Sequence, residues 1–412
     1  MAAFFFLLMS RYTIFFLLLF SFFFGMQQSG TAAFRTGVDV LEASGCRQIL
    51  GKKVALVTNA ACLTASGENN YAMLLRKGTD LKFLMAPEHG FGVNIEAGRK
   101  TEGTLVGDSL RVYSLYGAAC KPDVQLLKTV DVVLFDLQDV GTRCYTYIST
   151  MKFVMEACQE AGITFMVLDR PNPVSPLAPS GFMLEKGYES FVGAAEVPFV
   201  HAMTVGEIAL LLKKNRFRNL DLQVVRMEGY RRDCFSDELP GFRFVSPSPN
   251  IRNIETAVVY PATVMLEATA VSEGRGTDVP FLQFGAPFIN GKTLAARLSS
   301  YHLPGVSFIP VAFVPVASKF RGERCSGVRI VLLDRRRFEP FRTSVAILLS
   351  LREHCPQQLG LERGAEFFDR LAGTGRFREM LQQQSSVDGI VQTAHCGVKE
   401  FIRDTHDIRI YP

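Results

Sequence analysis

The sequence predicts an α/β protein: a mostly parallel sheet with helices on both faces, followed by a smaller C-terminal α+β domain. Three observations predict it. Short apolar runs rich in β-branched residues alternate with segments of helical spacing. The runs end in polar clusters, namely Thr58-Asn59, Glu88-His89, Gln138-Asp139 and Asp169-Arg170. Past the Pro-rich turn SPSPN at 246–250 the alternation loses its regularity. In a parallel sheet the carboxyl ends of the strands share one edge, so polar residues far apart in sequence can meet in one cleft.

The chain opens on a leader. FFFLLM at 4–9 and the run 14–24 are almost wholly apolar, with Arg11 between them and Thr31-Ala32-Ala33 beyond. This reads either as a secretory signal cleaved after Ala33 or as an uncleaved membrane anchor, and it predicts export to the periplasm or outside the cell. A mature protein starting at Phe34 marks the first case and one starting at Met1 the second. With 412 residues, the chain is too long for one ordinary core. The expected organisation is therefore a leader at 1–33, one domain at 34–246 and another at 247–412.

Within the first domain VALV at 54–57 is a short buried strand, and 71–77 has helical spacing. LKFLMA at 81–86 is a strand that must stop at Pro87, because proline removes a ladder donor and restrains its predecessor. Residues 112–115 read as strand and 123–128 as helix. DVVLFDLQD at 131–139 has the composition of a buried parallel strand. A helix over 145–161 stops at Gly162, and a strand over 163–168 is broken by DRPNP. Thr204 and Glu207 form a capping box for an amphipathic helix, and 222–225 is strand. In the second domain 328–333, 341–351 and 366–371 carry the periodicity.

Apolar residues make up 48% and charged residues 21%, a normal globular balance. The net charge of +5 is dispersed. Arg335, Arg336 and Arg337 form the one tight basic cluster and read as a solvated turn, so no nucleic-acid partner is predicted. Nine cysteines without a CxxC pair and six histidines without HExxH give neither a zinc nor a disulfide framework.

A Rossmann-like outline invites a nucleotide, but no cofactor is predicted. GxxxxGK[ST] is absent, and after Gly90-Phe91-Gly92 the third glycine of GxGxxG is replaced by Ile95. The nucleophile elbow GxSxG is missing too. What remains is a set of carboxylates with amide, hydroxyl and guanidinium groups. Glycoside cleavage needs a carboxylic acid to protonate the departing oxygen and usually a second carboxylate as nucleophile or base. Glu88, just past a buried strand, is the leading acid, with His89 beside it. Asp136 and Asp169 serve equally well as caps or ion-pair partners.

Ala86-Pro87-Glu88-His89-Gly90 and the run LFDLQDVGTRCYTYISTM at 134–151 resemble the exo-β-N-acetylmuramidase family of NamZ/YbbC type. LDRPNP at 168–173, HAMTVGE at 201–207, PSPN at 247–250, VSEGRGT at 271–277 and FDRLAG at 368–373 follow in the same order, so the resemblance spans roughly 37–412. It implies a Rossmann-like catalytic domain, a smaller C-terminal domain and an active cleft between them. The implied activity is removal of N-acetylmuramic acid from the non-reducing end of peptidoglycan fragments. The glutamate of its PEHG motif falls on Glu88, as catalytic acid, with His89 next to it. Asp139, Arg143, Asn172, His201, Asn250, Glu267, Glu273 and Arg275 lie in matching motifs and become substrate-binding candidates. Arg143 or Arg275 would hold the lactyl carboxylate, and Glu267, Glu273 or Asp139 would be the second carboxylate.

Two departures accompany the resemblance. The family's EGTN is Glu267-Ala268-Thr269-Ala270 here, and its HGMT is His201-Ala202-Met203-Thr204. Alanine strains a loop wherever the glycine it replaces had positive φ. The expected partners are peptidoglycan-derived saccharides, with membrane association through the leader. The competing expectation is a non-catalytic receptor for muropeptides or other sugars that uses the same cleft.

Overall fold

A computed structural model describes residues 33–96, 98–99, 104–106, 110–117 and 120–412. The leader expected at 1–33 lies outside them, apart from Ala33. Among the described residues no helix is long and apolar enough to cross a membrane.

Seven strands make the main sheet: β1 (Lys53–Val57), β2 (Asp80–Ala86), β3 (Thr104–Val106), β4 (Leu110–Ser114), β5 (Val132–Phe135), β6 (Thr164–Leu168) and, after a hairpin of β7 (Ser180–Met183) and β8 (Pro198–Val200), β9 (Leu222–Val225). Their order is β3-β4-β2-β1-β5-β6-β9, parallel throughout except for β3, which runs antiparallel to β4 at the edge. The apolar strand residues divide by parity. Ala55, Val57, Phe83, Met85, Val133, Phe135, Phe165 and Val167 enter one core cluster. Val54, Leu56, Leu84, Val132, Leu134, Met166 and Leu168 enter another, on the opposite face. Two-residue periodicity with both sets apolar requires cover on both sides. Helices α1 (Gly37–Ala43) and α2 (Asn70–Arg76) supply it on one face through Val38, Leu41, Met73 and Leu74. Helix α3 (Val124–Leu127), α4 (Tyr147–Ala161) and α5 (Val205–Asn215) supply it on the other. The predicted stops hold: Gly162 caps α4 at φ 70, and Thr204 and Glu207 close the capping box of α5.

The strand order reverses between β1 and β5, where open α/β sheets bind nucleotides. Here that seam is filled. Asn70 spans it, donating to Thr58 Oγ1 after β1 at 2.7 Å and to Asp136 Oδ2 after β5 at 2.7 Å, and the buried Arg170 after β6 forms an ion pair with the buried Asp136. Of the two roles left open for Asp136, the structure shows the ion-pair partner. Asp169 is likewise internal, accepting from Thr204 Oγ1 at 2.7 Å, the Gly206 amide at 2.8 Å and the Tyr411 hydroxyl at 2.7 Å.

The C-terminal part follows α6 (Ile254–Thr263) and contains a three-stranded antiparallel sheet ordered β10 (Gln283–Ala286), β12 (Cys325–Leu332), β11 (Val306–Phe313), with α7 (Gly291–Ser299) between β10 and β11. Helices α8 (Pro340–His354), α9 (Ala365–Ala372), α10 (Arg376–Gln382) and α11 (Val387–Asp404) complete it. Phe34–Pro412 is one compact unit, and its larger core runs without a break from Phe135 and Phe165 to Phe284 and Ile330. The SPSPN turn lies inside this unit, anchored by the Tyr147 hydroxyl on the Pro247 carbonyl. Residues 335–337 form the expected turn, with Arg336 and Arg337 exposed; within it Arg335 and Arg336 pair with Asp237 and Glu238 and lie over the Phe235 ring at 4.2 and 5.5 Å.

Candidate active site

Pro87 ends β2, and the chain turns at once, closed by a hydrogen bond from the Gly90 amide to the Pro87 carbonyl of 3.1 Å. His89 takes the third position of this turn at φ 73, a place normally left to glycine or asparagine. Its ring is fixed by Nδ1 on the Ile95 carbonyl at 2.8 Å. A carbonyl only accepts, so Nδ1 carries the proton and Nε2 is left as an acceptor. Burial lowers the His89 pKa, with Glu88 pulling the other way, so the neutral ring is favoured.

The turn presents Glu88 at the carboxyl edge of the sheet, 6% exposed. Its Oε1 accepts from the Gly98 amide at 2.9 Å and its Oε2 from Thr146 Oγ1 at 2.8 Å. Tyr116 stands beside Glu88, and burial together with the Glu88 charge pushes its phenol up to about 12. Thr146 is the N-cap residue of α4, so the helix that covers β5 also steers this carboxyl group.

Glu88 and His89 line a cavity of about 340 Å³ whose walls include Tyr145, Tyr260, Phe281 and Phe367. The aromatic wall is self-supporting, with edge-to-face contacts from Tyr145 to Tyr260 at 6.3 Å and from Tyr260 to Phe281 at 4.7 Å. Asn250, Glu267 and Arg275 line the same cavity and also a wider groove of about 980 Å³ that continues from it. The Asn250 side chain has no protein partner among the described residues.

Glu267 and Glu273 differ sharply. Glu273 is buried between Arg275 Nε at 3.2 Å and Lys319 Nζ at 3.1 Å, and it borders only the wider groove. Glu267 bonds to Arg275 Nη2 at 2.6 Å and keeps 22% of its side chain exposed. Burial raises its pKa; Arg275 opposes the rise and the Glu273 charge adds to it. Lys319 holds both acids in place, since it also donates to the carbonyls of Leu266 at 2.8 Å, Glu267 at 3.2 Å and Val271 at 3.0 Å. Ser318 and Phe320 flank it in left-handed backbone at φ 64 and 56. Sequence reasoning missed Lys319 and Tyr116, which stand in no motif; it passed over Thr146 although that residue sits inside the long LQDVGTRCYTYIST run.

Four candidates reach neither cavity, and their expected place among the substrate-binding residues is corrected. Arg143 is wholly buried: Nη1 donates to the carbonyls of Phe182 at 2.7 Å and Val197 at 2.9 Å, and Nη2 donates to those of Leu371 and Ala372. Burial without a carboxylate partner lowers its pKa to about 10. Asn172 joins the Met203 carbonyl at 3.0 Å to the Val174 amide at 3.0 Å. Asp139 accepts from the Gly141 amide at 2.7 Å and lies 3.3 Å from His201 Nε2, too poorly aligned for a hydrogen bond. These groups bind the loops after β5, β6 and β8 to one another beneath the site.

The two family departures part company here. Ala202 has φ 50, whereas Ala268 ends a short 3₁₀ turn at Val264–Ala268 and is absent from the positive-φ residues. Strain from a lost glycine therefore applies at Ala202. Left-handed backbone costs an L-residue about 1 kcal/mol, and glycine gives back part of that through its unfolded-state freedom. Ala202→Gly is expected to raise stability by about 0.5 kcal/mol, read as a higher urea midpoint. A lower midpoint would mean that the buried methyl contributes more than the backbone strain costs.

Comparison with known proteins agrees over the whole folded part. The family described as "Exo-beta-N-acetylmuramidase NamZ, N-terminal" matches residues 54–255, and "Exo-beta-N-acetylmuramidase NamZ, C-terminal" matches 258–411. The peptidoglycan beta-N-acetylmuramidase NamZ of Bacillus subtilis (strain 168) is 40% identical over 384 residues, 92% of this chain and 91% of that protein. A crystal structure of a DUF1343 family protein from Bacteroides fragilis NCTC 9343 has a TM-score of 0.84 at 30% identity, covering 92% of this chain and 99% of that one. A second DUF1343 structure from the same organism, at 24% identity and a TM-score of 0.73 over 92% and 99% of the two chains, shares the fold. With both halves matched in sequence and the architecture matched in space, the chain belongs to the NamZ family of exo-β-N-acetylmuramidases.

Proposed function

We propose that this protein removes N-acetylmuramic acid from the non-reducing end of peptidoglycan fragments, with Glu88 as general acid and Glu267 as the second carboxylate. The observation that carries this reading is that both acids line one cavity of about 340 Å³. That volume is near the small end of the ~300–1,000 Å³ range for small-molecule sites, suited to a single substituted sugar ring. Glu88 protonates the glycosidic oxygen as the bond to the anomeric carbon breaks. Glu267 then acts on the anomeric carbon directly or takes a proton from the attacking water. Glu273 is held by two cations and Asp139 lines neither cavity, which leaves Glu267 as the acid best placed for the second role.

Arg275 offers the lactyl carboxylate a guanidinium whose Nη2 and Nε already face Glu267 and Glu273, while Nη1 makes no hydrogen bond among the described residues. Asn250, with its amide uncommitted, supplies a donor and an acceptor for the N-acetyl group or a ring hydroxyl. The apolar leader supports export, which is consistent with a substrate found outside the cytoplasm.

Incubation with the disaccharide N-acetylmuramyl-β-1,4-N-acetylglucosamine is expected to release both sugars. Calorimetric binding with no product would instead mark a receptor. The pH profile tests Glu267. As nucleophile or base it must be ionised, so activity falls as pH drops through its pKa. Because that pKa is raised in the fold, the acid limb of kcat/KM is expected above the ordinary carboxylate value of about 4.3. Glu273→Gln removes a like charge and should move the limb to lower pH. A limb at the ordinary value, unmoved by Glu273→Gln, excludes Glu267 from that role.

A further inference from the structure

The wider groove contains a cation that the chemistry at Glu88 does not use. Arg329 lies on β12, the central strand of the three-stranded sheet, opposite Gln283 and Ile309. It lines the groove of about 980 Å³ but not the smaller cavity. Among the described residues it has neither a hydrogen bond nor an ion pair. Other cations lining this groove are engaged: Arg275 with Glu267 and Glu273, Lys319 with Glu273, and Arg252 with the Asp278 carbonyl at 2.9 Å. The two flanking strands fix the backbone that carries Arg329, and its uncommitted guanidinium is a planar fork matched to a planar oxyanion.

The groove is contiguous with the sugar-sized cavity through Asn250, Glu267, Arg275 and Phe367. Once the terminal muramic acid occupies the cavity beside Glu88, the rest of the glycan must leave along this groove, whose volume admits further rings. Peptidoglycan alternates two sugars. The residue next to the scissile bond is N-acetylglucosamine, which is neutral, and the one after it is again a muramic acid with a carboxylate on its lactyl ether. The first anion on the leaving side is therefore two sugars from the bond.

Resting on the reading of the site given above, we propose that the groove is a leaving-side subsite in which Arg329 pairs with the lactyl carboxylate of the second muramic acid. The protein is then selective for glycan strands longer than a disaccharide that carry a free lactyl group there. The same carboxylate chemistry could come from a stem peptide, and the substrates separate the two sources.

The test compares kcat/KM for four substrates: the disaccharide, the tetrasaccharide of alternating muramic acid and glucosamine, the same tetrasaccharide with N-acetylglucosamine in place of the second muramic acid, and one with a stem peptide on that muramic acid. A charge-assisted pair is worth roughly tenfold. The alternating tetrasaccharide is expected to exceed the disaccharide by about tenfold, and the tetrasaccharide without the second lactyl group to lose that advantage. In Arg329→Gln the ratio of tetrasaccharide to disaccharide should fall to about one, and Arg329→Lys should restore part of it. Equal wild-type rates on disaccharide and tetrasaccharide overturn the proposal, as does an advantage that survives Arg329→Gln. An advantage seen only with the peptide-bearing strand overturns the lactyl assignment. Failure to cut the disaccharide at all would instead count against the activity itself, so the two failures are distinct.

Discussion

Glu88→Gln is expected to lower kcat/KM on the natural disaccharide by roughly 10²–10⁴-fold, the usual loss when a general acid is removed. The loss should be much smaller on an aryl β-N-acetylmuramide, because a phenol of low pKa departs without being protonated. This contrast separates the roles of the two acids. Glu88 is held by the Gly98 amide and Thr146 Oγ1, and Glu267 by Arg275 Nη2, so each carboxyl group has its own supports and can be altered separately. If aryl and sugar leaving groups suffer equally in Glu88→Gln, the roles are exchanged and Glu267 is the acid. If neither suffers, Glu88 has no part in the chemistry. Glutamine can accept from the Gly98 amide through its one oxygen and donate its NH2 to Thr146 Oγ1, so the thermal midpoint should hold and a loss of rate reports chemistry.

Arg143→Met is expected to destabilise the fold by about 3–5 kcal/mol while leaving KM of the remaining folded protein unchanged. The guanidinium serves four carbonyls: two on the β7–β8 hairpin side, Phe182 and Val197, and two at the end of α9, Leu371 and Ala372. Each buried carbonyl left without a donor costs about 1–3 kcal/mol, and methionine supplies none. Gly373 is tied to the same arrangement, since a Cβ there would stand 2.5 Å from Arg143 Nη2, and its φ is 75. A raised KM with an unchanged unfolding midpoint would return Arg143 to the substrate.

Most of the main sheet was legible in the sequence because its strands are apolar on both faces and end at sharp polar or proline stops, as 81–86 and 164–168 do. Glu88 was legible for the same reason: a carboxyl placed directly after such a stop has one strand to set its position. The C-terminal strands were harder. β11 contains Pro310, which argues against a strand, and it survives because β11 is an edge of its sheet and pairs only with β12. The chemistry of Arg143 was illegible because an arginine beside a catalytic motif has the same letter whether it faces substrate or four carbonyls. The difference lies in contacts to residues 182, 197, 371 and 372, up to 229 positions away. Glu267 could be separated from Glu273 only by the loop that carries Lys319, in which no residue type announces an ion pair.

The ion pair of Asp136 and Arg170 has a consequence for how this scaffold can change. Together with Asn70, which bridges Thr58 and Asp136, it fills the hollow at the centre of the sheet with neutralised charge and so removes the berth a phosphate would need. New specificities are therefore best sought by laboratory evolution in the peripheral turns after β2 and around 267–275, with the centre left intact, whereas reopening the hollow would sacrifice rigidity before it created a second binding place.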